Sequence, residues 1–305
     1  MFLININKNI VMGGKSLKSV MENKSKNVSL VYLVAGMSSR FGGKVKALAQ
    51  VGPNGETLIE YSLNQALSSG FSKIIFIVSS LTIELLKGLF GDNYKGVPVE
   101  YALQYFDPIE RDRPWGTAQA ISVLDDFVDD GFVVCTSDDI YGSRAFQILF
   151  DHLQKSDSAA ILGYKLIDNL SNEGTSNRGV IDCYENNKVK SIKEVLAIDP
   201  QNLASKGLKP ETLVSMSIFA FPKEVVYKLG ERFENFKNKN KGDRKIEFFL
   251  PSEISYMIEK NELKMIVYPV SENTIGLTYP EDEEIVKKTL ASKVTKSDSD
   301  TLNTV

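Results

Sequence analysis

Apolar residues in this chain fall into short runs separated by stretches of helical spacing, the pattern of strands alternating with helices. A run from Val28 leads into a loop of small residues, and a helix follows around Thr57 to Ser69. Next come a strand over Lys73–Ser79, a helix near Thr82–Phe90 and a strand over Val97–Leu103. This β-α-β-α-β alternation predicts a mostly parallel sheet. The spacing over Gly116–Asp130 predicts another helix, which delivers the chain to Phe132–Ser137, a nearly all-apolar run suited to a central strand. That strand ends directly on Asp138 and Asp139.

Beyond His152 the runs shorten. Ala159–Leu166, Arg178–Val195 with an Asn-Asn turn inside it, and Leu213–Phe221 read as strands of a mixed sheet. Helices are expected near Pro222–Asn235 and Ile246–Glu259, a strand over Leu263–Pro269, and a last helix from Pro280 to about Ala291. Residues 1–27, rich in Asn, Lys and Ser, read as a loose extension within which Met12 or Met21 is an alternative start, and residues 291–305 as a mobile tail. No internal repeat is evident.

Composition narrows the chemistry. With 305 residues, 43% of them hydrophobic, the chain can bury a full core as one large α/β domain, alone or with a small lobe. A net charge of −3 gives no global attraction to nucleic acid or to an anionic membrane, so any phosphate must be met by locally placed cations. Cys135 and Cys183 sit among apolar residues and read as reduced packing groups. The lone histidine, His152, has no ligand-spaced partner, which excludes a histidine zinc site and a Ser-His triad. No apolar run approaches the roughly 18 residues a membrane span needs, no signal peptide is indicated, and the expected location is cytoplasmic.

The loop after the first strand carries the strongest chemical signal. Small residues at a strand end let backbone N–H groups cradle a polyphosphate, and Arg40 and Lys46 add charge beside it. Two common phosphate loops do not fit. After Gly36, Ser38 and Phe41 stand where the second and third glycines of a dinucleotide fingerprint belong. The early Gly13–Ser16 resembles the end of a Walker A loop, but Asn9 occupies the place of its first glycine and no strong strand precedes it.

The string AGMSSRFGGKVK, from Ala35 to Lys46, resembles the signature loop of the sugar-phosphate nucleotidyltransferases, with Ser38 replacing a glycine and Val45 a proline. The order of further motifs, spanning about Val28 to Leu290, strengthens the resemblance. It implies that Ala35, Gly36, Met37, Ser38 and Ser39 hold the triphosphate. It also implies that Arg40 grips the β- and γ-phosphates and that Lys46, with Lys44 its nearest rival, neutralises the reacting phosphates. The string SDDIYG resembles the family's metal-binding strand end, giving Asp138 the magnesium role and Asp139 a neighbouring one in the sugar-phosphate site. In LQYFDPIERDRPWGTAQA, Gln104 matches a glutamine that reads a pyrimidine edge, and Gly116 and Thr117 match the wall of the base pocket. Glu110–Arg113 reads either as a loop over the site or as a solvated charge run.

In the second half, Arg178, Gly179 and Glu194 match sugar-phosphate contacts, while Val195 stands where the family commonly has a lysine. Glu253 is carried as a second metal acid. The fold implied is a Rossmann-like, GT-A-type α/β sandwich with a mostly parallel mixed central sheet and a small substrate lobe. Its domain would cover 28–290, with a nucleotide half to about 155 and a sugar-phosphate lobe beyond. The activity implied is Mg2+-dependent transfer of a nucleotidyl group, from UTP or dTTP by preference, to a sugar 1-phosphate. Two alternatives stand beside it: cytidylyl transfer to an alcohol phosphate, and a regulatory protein that binds nucleotide sugars without turnover. A glycosyltransferase is disfavoured because it needs no Arg-and-Lys loop for a leaving pyrophosphate.

Overall fold

A computed structural model describes residues 25–36, 45–170, 174–271, 273–277 and 281–302, with side chains of the final helix described to residue 292. Four strands lie side by side in parallel: β4 (Val97–Leu103), β2 (Lys73–Val78), β1 (Val28–Leu33) and β5 (Gly131–Thr136). The short β3 (Asn93–Tyr94) folds back on the start of β4. On the other side the sheet continues antiparallel through β11 (Ile218–Pro222) to β7 (Ala159–Lys165), then by β10 (Leu213–Ser215) to the hairpin of β8 (Ser176–Cys183) and β9 (Val189–Ile198). The result is one large mixed sheet.

The expected strand Leu213–Phe221 is divided. Ser217 takes a positive φ of 57°, and β10 and β11 pair with opposite ends of the same edge of β7. The other edge of β7 is taken by β12 (Met265–Val270). This bend carries the second half of the chain onto the same sheet as the first.

Period-2 alternation decides which helix covers which face. Leu30 and Tyr32 of β1, with Val133 and Cys135 of β5, face one core, closed by α1 (Leu58–Ala66), α2 (Ile83–Phe90) and α4 (Ser143–Lys155). Val31, Phe132 and Val134 face the other, closed by α3 (Thr117–Ser122), α5 (Glu224–Lys239) and α6 (Leu250–Glu259). Thr57 and Glu60 form a reciprocal capping box that fixes the start of α1.

Several expected boundaries move, each for a local reason. The helix expected over Gly116–Asp130 stops at Ser122, where the backbone changes to i→i+3 bonds from Leu124 to Ile121 and from Phe127 to Leu124. Residues 246–249 are not helical because they bond to the start of α3, and Pro251 opens α6 beyond them. The Asn-Asn turn is present, with Asn187 at φ 61°. The last helix, α7 (Asp282–Leu302), runs past the expected end near Ala291. At the other terminus, Ser25–Asn27 are tied down rather than loose: Gln154 exchanges bonds with Lys26, whose Nζ reaches Asp157 at 2.6 Å, and Asn27 N–H donates to Asp130. Residues 1–24 lie outside the described residues. No helix among the described residues is long and apolar enough to cross a membrane.

Candidate functional site

Because β4, β2, β1 and β5 are parallel, their carboxyl ends share one edge of the sheet, where open α/β sheets bind ligands. Leu33 at the end of β1 lies opposite Thr136 at the end of β5, and Ser137 ties the two exits together by donating to the Leu33 carbonyl at 2.9 Å. The chain leaves β1 through Val34, Ala35 and Gly36 and is described again from Val45, close enough for Gly36 and Lys46 to line one cleft with Leu33, Thr136, Ser137 and Asp138. The volume of this cleft is about 280 Å³. Met37, Ser38, Ser39 and Arg40, and the rival Lys44, lie outside the described residues.

The Lys46 ammonium stands 3.6 Å from the Asp138 carboxylate and donates to the Leu277 carbonyl at 3.0 Å. Leu277 belongs to a returning segment that sequence reading missed. There β13 (Ile275–Gly276) pairs antiparallel with β6 (Asp139–Ile140), and Leu277 N–H donates to the Asp138 carbonyl. A Cβ on Gly276 would overlap the Asp139 carboxylate, so glycine lets this backbone lie against the acidic pair.

Asp139 accepts from Thr136 Oγ1 at 3.2 Å, while Thr136 also bonds the Tyr141 hydroxyl, anchored in turn on the Met216 carbonyl. Burial, followed by the charge of Asp138, raises the Asp139 pKa to about 7. Two neighbouring carboxylates at the sheet edge offer the oxygen donors that a hard divalent cation such as Mg2+ prefers, so the donor chemistry of Asp138 and Asp139 fits one. Glu253, the other acid assigned to a metal, is engaged by a cation of its own. Its carboxylate on α6 accepts from Arg232 Nε of α5 at 2.6 Å, and that guanidinium stacks on Tyr256. No group of three or more His, Cys, Asp and Glu side chains able to hold a metal forms among the described residues.

Arg178 lies close enough to Asp139 for their charges to interact, and burial lowers its pKa. Its Nε and Nη2 donate to the Asn169 carbonyl and its Nη1 to the Asn177 carbonyl, which fixes the fork. Asn169 is itself held by the Lys165 carbonyl and the Thr274 hydroxyl. Across the β8–β9 ladder Gly179 faces Glu194, and Arg178 faces Val195. The Glu194 pKa is raised by burial against the opposing pull of Arg178. Arg178 thus places a cation directly across the ladder from position 195.

Gln104 follows β4, its backbone N–H bonded to the Val78 carbonyl, and its buried amide Nε2 donates to the Gly116 carbonyl at 3.1 Å and to Gln119 Oε1 at 2.7 Å. Gly116 has φ 107°, and a Cβ there would come within 2.8 Å of the Phe248 carbonyl oxygen. The close approach that Gly116 permits is therefore to the 247–250 backbone. Thr117 Oγ1 accepts from Leu250 N–H and Phe248 accepts from Ala118 N–H, so these contacts account for both residues within the protein itself.

Glu110–Arg113 is clasped through Arg111, while Glu110, Asp112 and Arg113 stay exposed. Arg111 is 2% exposed, stacks on Trp115 at 3.6 Å and donates to the Asp243 and Ile246 carbonyls. Arg244 answers from the other side by bonding Asp112 and the Ile109 carbonyl. Gln119 was also missed, although a lone amide in the apolar stretch Ala118–Ile121 was a legible signal of a buried partner.

The model of the nucleotidyl transferase family matches residues 44–264. A UTP–glucose-1-phosphate uridylyltransferase of Haloferax volcanii, AglF, is 23% identical over 181 residues, 58% of this chain and 69% of the relative. Among solved structures, the inositol-1-phosphate CTP transferase of T. maritima superposes with a TM-score of 0.62 at 16% identity over 87% of this chain and 96% of that one. A UDP-glucose pyrophosphorylase complexed with UDP-glucose does so with a TM-score of 0.62 at 13% identity over 87% and 99%. The two solved structures share the fold of this chain. The family match covers most of the sequence and includes the strand end that carries Asp138, and on that ground the chain belongs to the nucleotidyl transferase family and is an enzyme of that type.

Proposed function

We propose that this enzyme transfers a nucleotidyl group from a nucleoside triphosphate, UTP or dTTP by preference, to a sugar 1-phosphate. In that reaction an acceptor phosphate oxygen bonds to the α-phosphorus, the bond from that phosphorus to the β-phosphate bridging oxygen breaks, and pyrophosphate departs with the electron pair. The observation that carries the reading is the convergence of Lys46, Asp138 and Asp139 on one sheet edge, with the Arg178 guanidinium beside Asp139. Two anions must meet there, and positioned charge is most of what phosphoryl chemistry asks of a protein.

On this reading Ala35 and Gly36 begin the loop under the triphosphate, and Arg40, outside the described residues, meets the leaving phosphates. Lys46, held from two sides, neutralises the α-phosphate. Asp138, with Asp139 beside it, would hold Mg2+, which when bound supplies charge neutralisation on the phosphates. Arg178 and Glu194 would receive the acceptor, one by its charge and the other by accepting from sugar hydroxyls, and Gly179 leaves room between the strands. Gln104 stands two strands from β1 on the same edge, so base and phosphates would span β4 to β5, three inter-strand steps or roughly 14 Å. The uridylyltransferase relative supports uridine as the base. The T. maritima neighbour keeps cytidylyl transfer to an alcohol phosphate as the second reading.

The test is pyrophosphate release with Mg2+, with the nucleoside triphosphates scanned against sugar 1-phosphates and alcohol phosphates. Release that needs one sugar 1-phosphate, with UTP or dTTP, and that falls at least about 100-fold in Asp138→Asn, supports the proposal. Release only with CTP and an alcohol phosphate replaces it with the second reading, and an unaffected Asp138→Asn overturns the metal assignment.

A further inference from the structure

A primary amide has two N–H donors and one carbonyl acceptor, and a base-reading glutamine free to rotate can offer either end. Gln104 is not free. Both protons of its Nε2 are taken, by the Gly116 carbonyl and by Gln119 Oε1, while its own Oε1 meets no donor among the described residues. The assignment is forced, because turning the amide over would set Gln104 Oε1 against the Gly116 carbonyl oxygen, two acceptors face to face. The Gly116 carbonyl is fixed in turn, since it also accepts the Ala120 N–H bond that opens α3. Gln119 is 5% exposed and its contact with Gln104 is buried, so neither partner can exchange the other for water at little cost.

We propose that Gln119 is a positioning residue for base selection: it locks the Gln104 amide so that only the Oε1 acceptor is presented to the base. This rests on the nucleotide reading of the site given above. Set opposite ring position 3, a lone acceptor matches the N3–H of an imide base, uracil or thymine, and opposes the N3 of cytosine, itself an acceptor, whose only donor on that edge is the 4-amino group one position away. The discrimination is then set by a residue that touches no ligand, and it needs α3 seated on the sheet by Gly116 and Thr117. Ribose and phosphate contacts are common to all pyrimidine nucleotides, so removing the lock changes base preference far more than the grip on the triphosphate.

The experiment is equilibrium binding of UTP, dTTP and CTP, with Mg2+, to the unsubstituted protein, Gln119→Leu and Gln119→Glu, with melting curves for each. The unsubstituted protein should prefer UTP and dTTP to CTP by at least about tenfold. In Gln119→Leu the preference should collapse to within about threefold, mainly through weaker UTP binding, and Gln119→Glu, which keeps an acceptor oxygen, should retain it. A preference unchanged in a folded Gln119→Leu, or a parent protein that prefers CTP, overturns the proposal. An independent reading needs no variant: both Gln104 side-chain amide protons should be protected from solvent exchange by NMR, and fast exchange of either sinks the lock. Because binding is read without turnover, a protein that selects UTP but releases no pyrophosphate with any acceptor would contradict the proposed function while leaving this inference standing.

Discussion

Lys46 and Glu253 show how a charged side chain's partner decides its use. Lys46 is gripped by the Asp138 carboxylate and the Leu277 carbonyl on the lining of a cleft, which holds a cation in place there. Its replacement in Lys46→Met should lower kcat by about 100-fold, read by steady-state pyrophosphate release. Glu253 is spent on Arg232, with both side chains mostly buried. Glu253→Gln should keep activity within about twofold but cost about 1–3 kcal/mol in chemical denaturation, because Arg232 loses its counter-charge. Abolished activity at unchanged stability would return Glu253 to the metal site. The sequence sets Lys46 in the signature loop, but nothing beside Glu253 shows that it is paired, because Arg232 comes from another helix 21 residues away.

At the scale of elements, the first turn of α3 is the joint between the base strand and the second half of the chain. Trp115, Thr117 and Ala118 all bond the 248–250 backbone, Gly116 packs closely against it, and the Arg111 and Arg244 clasp closes the same seam earlier in the chain. Arg111→Ala removes a stacked guanidinium and its bonds to three carbonyls, and should destabilise the fold by about 2–3 kcal/mol in urea titration. Nucleotide affinity should fall with it, because the clasp seats the helix on which Gln104 rests. Full stability in that variant would mean that the seam is held by Trp115 and its neighbours Phe233 and Phe236 alone.

For the molecule as a whole, the lone histidine ties α4 to the sheet. His152 must donate from Nε2 to the Ser158 carbonyl, so Nδ1 accepts from the Tyr268 hydroxyl of β12. Burial pushes its pKa below the ordinary histidine value. The neutral ring is favoured in the folded state, so the unfolded chain binds the proton first as pH falls. Stability should therefore be flat above the unfolded value of about 6.5 and decline as pH drops from there toward the lower folded value. Melting temperatures from pH 8 to 5 should show a smaller acid loss in His152→Gln, and an identical loss would assign the effect to carboxylates instead.

The sequence by itself determined the layered α/β class, the two-faced burial of β5, and the placement of Asp138 and Asp139 at a strand end. These follow from local periodicity and from where an apolar run stops, both properties of consecutive residues. The helical setting of His152 was legible for the same reason, while its bonds to Ser158 and Tyr268 were not. Only the tertiary structure decided that Gly276 and Leu277 close on the acidic pair, that Arg178 stands across from Val195, that Gln119 pins Gln104, and that Gly116 makes room for Phe248. Each of those pairings joins segments through sheet register or helix packing, and register is fixed by the whole buried face rather than by any short stretch that could be read alone.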